Sequence, residues 1–340
     1  MLSKIKFIII TTLLITLHLN AQIGSSLNKT GTTSAQFLKI GVGPRAIGMG
    51  GAFTASANDI SSIYWNPAGL ARIHGSEAYF NHVDWILDVK MQHAGYAMDA
   101  GDLGTIGAFI SVLSMDEMPV RTLQRPEGTG ELFSAGAITI GVSYARNLTE
   151  EFSIGFNAKY IREHIWNESA KTFAIDVGTQ YVIPFLNEFR LGASISNFGP
   201  KMRMDGRDII QTTTVGSGEG NLINTIVQLD EFDLPLLFRI GVAVDAIKTA
   251  ESRLTIAADA IHPNDNSEYV NTGIEYTWNE TFFLRGGFKS LFEAEGEQGF
   301  TIGAGINYRL LDAIKVKIDY AYQDFGRLKN VQYISLGVKF

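Results

Sequence analysis

The 340-residue sequence has no cysteine. Disulfide bridging, thiolate catalysis and the sulfur ligands of most structural zinc sites are therefore excluded. Charge is sparse at 19%, Lys and Arg are nowhere clustered, and the net charge is −7. Such a balance offers nothing to a phosphate backbone, so no nucleic-acid partner is expected. Long hydrophobic runs are missing too: 46% of the residues are hydrophobic, yet no run reaches the ~18 residues of a spanning helix. Apolar residues cut into short pieces point to many strands. The 35 Gly, 21 Phe and 12 Tyr agree, since aromatics favour pleated surfaces and Gly suits turns and crowded barrel interiors.

What is present begins with an export signal. Lys4 and Lys6 precede an apolar run from Phe7 to Leu19, and Leu19-Asn20-Ala21 closes it. Residues 1–21 read as a cleaved signal peptide, with the mature chain starting near Gln22. Without disulfides, stability must come from the sheet itself.

From about residue 104 onward the chain alternates with period two. One face is greasy throughout, as in Ile138, Ile140, Val142 and Tyr144, or Phe238, Ile240, Val242 and Val244, or Ile334, Leu336, Val338 and Phe340. The opposite face carries Gly, Ser, Thr and the charges Arg190, Arg239, Arg285, Asp176, Asp245, Asp259, Glu275, Lys315, Lys317 and Asp319. A soluble sandwich alternates as well, so two further features decide. Short turns fall near 101–103, 147–151, 184–187, 247–251, 279–280 and 309–312, between connections near 114–134, 163–169, 198–235, 262–267, 290–298 and 325–329. All elaboration is thus on one side, the outer side if the N-terminus and Phe340 are periplasmic. Aromatics of the greasy face, Tyr144, Phe152, Tyr181, Phe189, Tyr276, Phe282 and Tyr308, gather at the short-turn rim, as an interfacial girdle would. The reading is an all-β fold, a transmembrane antiparallel β-barrel of about fourteen strands over residues 77–340 with outer-membrane lipid as its surroundings. Twelve strands alternate clearly, and weaker ones near 77–85 and 89–100 complete an even number. Lys315 and Lys317 on the lipid side would each cost roughly 2–4 kcal/mol at mid-membrane, so their face must be the lumen. There the charges either pair with one another or solvate a narrow pore.

Residues 22–76 read differently: Gly is dense, apolar spacing is irregular, and a compact segment ahead of a barrel is most simply a lumen plug. A short helix is expected from about Ser56 to Tyr64, started near Asn58 or Asp59 and stopped before Pro67. Within this segment Arg45-Ala46, Gly48-Met49-Gly50-Gly51-Ala52, Asp59 and Trp65-Asn66-Pro67-Ala68-Gly69-Leu70 form a motif. The motif resembles the amino-terminal region of the PorV/PorQ family, whose barrels are similar to FadL-type fatty-acid transporters. The resemblance implies fourteen strands, an inward-folded N-terminal hatch and a link to type IX secretion. It also implies that a secretion channel or exported cargo binds through the long outer loops 114–134 and 198–235, in the bacterial outer membrane.

Other motifs carry little. Gly48-Met-Gly-Gly lacks the preceding strand and following βαβ unit of a dinucleotide loop, and Gly216-Ser-Gly-Glu-Gly220 lacks the Lys of a phosphate loop. His74, His82, His93, His164 and His262 have no metal spacing. The loop Asn264-Asp265-Asn266 with Glu268 lacks the ligand periodicity of a calcium site. A barrel phospholipase would need a Ser–His pair on a lipid-facing strand. No cofactor and no enzymatic activity are expected. The competing reading is a transporter of hydrophobic small molecules, which requires an apolar pocket behind residues 34–73 for a ligand in the lumen.

Overall fold

The computed structural model describes residues 29–184, 187–214, 222–293, 296–311 and 314–340. The expected signal peptide 1–21, the first residues of the N-terminal segment and the Gly216–Gly220 motif lie outside the described residues. Fourteen antiparallel strands form the barrel: β1 Ser76–Asp84, β2 Lys90–Asp99, β3 Thr105–Ser114, β4 Ala135–Asn147, β5 Phe152–Ile165, β6 Glu168–Ile183 and β7 Phe189–Phe198, then β8 Leu237–Lys248, β9 Ser252–Pro263, β10 Tyr269–Trp278, β11 Phe282–Leu291, β12 Phe300–Leu311, β13 Ile314–Asp324 and β14 Asn330–Lys339. Each pairs with its neighbours in the chain, and β1 pairs with β14 from Glu77↔Lys339 to Asp84↔Gln332, which closes the sheet. Closure matters physically because it leaves no edge of unpaired backbone groups.

Alternation decides what faces where. Outward side chains such as Ile240, Ile302 and Leu336 are about half exposed (48%, 50% and 46%), as a belt against hydrocarbon would be. The buried hydrophobic cluster is inside the lumen, and the N-terminal segment supplies much of it: Val42, Ala46, Ile47, Met49, Ala52 and Phe53 are wholly buried. The segment folds into a 3-10 turn at Gln36–Lys39, helix α1 at Pro44–Gly48, helix α2 at Ser62–Trp65 and a second 3-10 turn at Pro67–Arg72. The helix expected over 56–64 is thus shorter and later. Asp59 explains the shift, because its carboxylate accepts from the Ser61 backbone N–H at 3.0 Å and holds a turn. Pro67 ends it as expected, after Asn66 has gone extended at φ −158° and accepted from Ala68 N–H at 3.2 Å to cap the next turn.

Connections are short at the end where β1 begins and longer at the other. The strand ends bear out the short turns expected at 101–103, 147–151, 247–251 and 279–280, those expected at 184–187 and 309–312 take in residues outside the described ones, and the connection expected at 163–169 is only Trp166–Asn167, because β5 and β6 run on as a hairpin beyond the body of the sheet. The two long connections carry small ladders, Met118–Pro119 on Leu132–Phe133 and Ile210–Thr214 on Leu222–Ile226. A second departure concerns direction. The barrel itself begins and ends at the short-turn end, but Thr33 bridges to Asp233 in the long connection and Ala35 N–H donates to Glu163 at 3.1 Å. The segment therefore crosses the whole lumen, from the long-loop end at Thr33 to the short-turn end at Arg72, whose guanidinium donates to the carbonyls of Glu150 and Glu151.

Candidate functional site

An irregular backbone inside a barrel has no ladder partner, so its N–H and C=O groups must be met by the wall. The inward polar residues do this. Asn157 donates to Ile63 O at 2.7 Å, Gln180 to Ala55 O at 2.7 Å and Ala57 O at 3.0 Å, and Ser194 to Trp65 O at 3.0 Å. Asp259 accepts from the N–H groups of Phe53 and Thr54 at 2.9 and 2.8 Å. Asn66 reaches the other way, donating to Thr54 O at 2.8 Å within the plug and to Thr179 O at 3.0 Å in β6. Thr301 takes the Gly50 N–H at 3.0 Å and donates to Gly48 O at 3.2 Å.

Glycine on the wall lets the plug come this close. A Cβ added at Gly155, Gly192, Gly273 or Gly287 would stand 2.2–2.4 Å from plug backbone at Pro67, Thr54, Met49 or Gly50. Gly48 and Gly303 meet backbone to backbone, with a Cβ added at either standing 3.0–3.1 Å from the other's Cα. Within the plug, Gly50 and Gly51 both take left-handed backbone, φ +66° and +79°, which a Cβ would resist. The Gly-rich motif and the inward glycines are two halves of one contact surface.

Toward the short-turn end the charges close into a ring. Arg45 of α1 forks onto Glu275 with two 2.9 Å bonds and gives its third nitrogen to Asp59 at 2.8 Å. Arg285 donates to Glu275 at 2.7 Å and to Asp319 at 2.6 Å, and Lys317 stands 3.5 Å from Asp319 and 3.7 Å from Asp59. The circuit Asp59, Arg45, Glu275, Arg285, Asp319, Lys317 alternates in sign and ties plug to β10, β11 and β13. Fork geometry makes the Arg–carboxylate links directional as well as strong. Phe53 and Phe283 pack under the cations, with Arg45 and Arg285 each 5.1 Å from a ring centre.

The remaining inward charges are spread along the wall. Arg190 pairs with Asp245, which also accepts from Thr255 at 2.8 Å. Asp176 pairs with Lys159 at 2.7 Å, and Arg239 lies over the rings of Tyr64 and Trp65 at 5.6 and 5.7 Å and donates to Ser196. Lys315 lines a 270 Å³ vestibule at the short-turn mouth and has no ion partner among the described residues. Lys159, Asn157, Gln180 and Thr301 share the inward face with the named charges. Their signal was the same parity, which applies to amides and hydroxyls as much as to charges.

The rim aromatics sit outward at the short-turn end. Phe152 faces Tyr181 across β5–β6, and Tyr144 donates to Leu103 O at 2.9 Å. Tyr276 bonds Ser252 at 3.0 Å, and Trp278, not singled out from the sequence, stacks on Phe282 at 5.7 Å. Phe189 and Tyr308 complete the band, Tyr308 being 62% exposed.

At the long-loop end one carboxylate gathers the strap Thr33–Lys39. Asp265 accepts from Thr33 at 2.7 Å, Gln36 at 2.8 Å and Lys39 at 2.8 Å. Burial pushes the Asp265 carboxyl up, but the bonds from Gln36, Lys39 and Thr33 outweigh it and hold the group below its ordinary range. The acidic loop considered for calcium thus spends its central carboxylate on the plug. His93 and Ser111 do meet, at 2.8 Å, but inside the lumen. The far imidazole nitrogen of His93 has no partner among the described residues, and the ring stacks on Phe109 at 5.9 Å.

A sequence profile described as "Type IX secretion system protein PorV" matches residues 24–261. The chain belongs to the PorV family. The match takes in the plug motif, the charges as far as Asp259 and both long connections. No curated protein matches in sequence. Solved structures share the fold: the CymD monoaromatic hydrocarbon channel has a TM-score of 0.56 at 12% identity, over 88% of this chain and 98% of that one. The Ralstonia pickettii toluene transporter TbuX gives 0.55 at 11%, over 88% and 97%, and a Pseudomonas aeruginosa FadL homologue 0.50 at 12%, over 86% and 96%. This PorV-family barrel is therefore FadL-like in architecture, a fold of outer-membrane proteins.

Behind the plug, Phe37, Leu38, Ile63, Tyr64, Met91 and Phe109 border a cavity of about 30 Å³ that Lys159, Asp176 and Arg239 also line. Such a space holds a water or two, whereas a dry cavity that takes benzene measures about 150 Å³.

Proposed function

We propose that this protein sits in the bacterial outer membrane and serves type IX secretion as a docking component, engaging exported proteins or the secretion channel at its long-loop end. It is a binding protein rather than a catalyst. Family membership supports the secretion role. The observation that carries the docking mode is the filled lumen: with a segment bonded to the wall along its length, partners are met at the rim. The long connections, including the ladder Ile210–Thr214 on Leu222–Ile226 with Leu222 and Ile226 68% and 69% exposed, offer apolar surface there. A transporter of hydrophobic solutes would need an apolar pocket behind the plug; the cavity there is about 30 Å³, and the 270 Å³ vestibule at the short-turn mouth is lined by Arg45, Asp59, Lys315, Lys317 and Asp319.

The test is affinity capture of the tagged full-length chain from native outer membranes, before and after the tip of the 199–236 connection is shortened. A large channel, or exported proteins sharing a C-terminal domain, should co-purify with the intact chain and be lost from the shortened one. Recovery of neither, with the barrel folded in the membrane, would overturn the secretion reading.

A further inference from the structure

The outward face of β9 reads Leu254, Ile256, Ala258, Ala260, His262 toward the long-loop end. Side chains shrink just where the flanking strands keep theirs. In register across the three strands lie Ile240, Ala260 and Val270, and next to that row Val242, Ala258 and Thr272. Two branched side chains on either side of a methyl leave a furrow along β9, and Phe238 and Phe292 narrow its upper part. The space measures about 260 Å³.

Phe292 roofs it through an uncommon backbone. The β10–β11 pairing shifts register between Val270 and Thr272, and Ser290 and Phe292 are both left-handed, φ +58° and +70°. A bulky aromatic seldom takes that conformation, and here it leaves the ring 74% exposed beside the furrow. At the mouth the Glu268 carboxylate stands 2.9 Å from His262 and has no Lys or Arg partner among the described residues, and both side chains are more than 60% exposed. The bordering segments 262–268 and 290–293 hold Asp265, Glu268 and Glu293 but no Lys or Arg. With Asp265 taken by Lys39 and Glu293 bonded to Asn266, Glu268 is the exposed carboxylate facing the opening.

We propose that this furrow binds one phospholipid with an amine headgroup, its acyl chain along Ala260 beneath Phe292 and its ammonium against Glu268. The occupant follows from two features. The furrow is continuous with the outward apolar belt, so hydrocarbon reaches it without leaving the membrane, and the one exposed carboxylate at the mouth, Glu268, favours a headgroup that carries an ammonium beyond its phosphate over one that carries none. This rests on the membrane-embedded reading above.

The test reconstitutes the full chain in phosphatidylglycerol vesicles doped with a diazirine-acyl phosphatidylethanolamine, or with the same probe on a glycerol headgroup. After irradiation, labelled peptides are mapped. The ethanolamine probe should label peptides holding 238–240, 260–262 and 290–292 several-fold more than belt peptides around Ile302 and Leu336. Ala260→Trp should bring that labelling down to the belt level, and Glu268→Gln should erase the headgroup preference while the acyl labelling persists. Even labelling around the barrel with both probes would overturn the furrow and leave the membrane reading intact. Labelling nowhere would overturn both.

Discussion

Asp265 holds three donors from one short strap, and the sign of its titration follows from that. A carboxylate held below its ordinary range stabilises the docked strap fully above about pH 4 and loses the contribution as pH falls through its folded value. Because the chain has no cysteine, Ser34→Cys takes a single spin label. The label is expected to be immobile at pH 7 and to gain mobility only as pH falls below the ordinary carboxylate range, and Asp265→Asn should mobilise it at pH 7 at a cost of about 1–3 kcal/mol. A label equally immobile in all three conditions would mean the strap is held elsewhere. In the sequence Asp265 is one residue of an acidic loop without the periodicity of a calcium site. Its partners lie more than two hundred positions away, and no local pattern reports that. The ring of six charges has the same character: alternation sends Glu275, Arg285, Lys317 and Asp319 inward, but only the path of the plug brings Arg45 and Asp59 between them.

At the scale of elements, the plug and wall are matched through missing side chains. Gly287 and Gly286 are neighbours on β11 with opposite outlooks. A Cβ at Gly287 would meet Gly50 N at 2.2 Å, whereas at Gly286 it meets only Ile274 at 3.9 Å. Gly287→Val should therefore expel the stretch around Met49–Gly51 and expose the segment to added protease, while Gly286→Val should leave the digestion pattern of the parent. Identical patterns for the two variants would show that the segment does not depend on this contact. Element periodicity was what the sequence displayed best. The clear strands and the two weak ones at the start of the barrel could be counted, because inside and outside differ chemically at every second residue. Plug geometry could not be, since Gly-rich backbone obeys no period. The helix near Ser56–Tyr64 was displaced by a side-chain turn at Asp59, and the hairpin tip at Trp166–Asn167 was hidden by the polar residues Glu163, His164, Asn167, Glu168 and Ser169 that a loop would share.

For the molecule as a whole, the packed lumen predicts a quiet membrane protein. In planar bilayers the full-length chain should insert without steady conductance, since the plug occupies the barrel from Thr33 to Arg72 and the space behind it is about 30 Å³. Discrete, long-lived conductance steps from the pure protein would contradict a closed barrel. The architecture shared with hydrocarbon channels at 11–12% identity sets the scaffold but not the traffic through it.

The hydrogen-bonded seam between Glu77 and Lys339 joins residues 262 positions apart, and the stretch immediately before that seam is the one enclosed. The expected order of maturation is that the plug finds its berth while the cylinder is still an open sheet and the first and last strands zip afterward. Long-range pairing of this kind is slow, so a late-closing hoop gives the leading residues time to settle before their exit disappears.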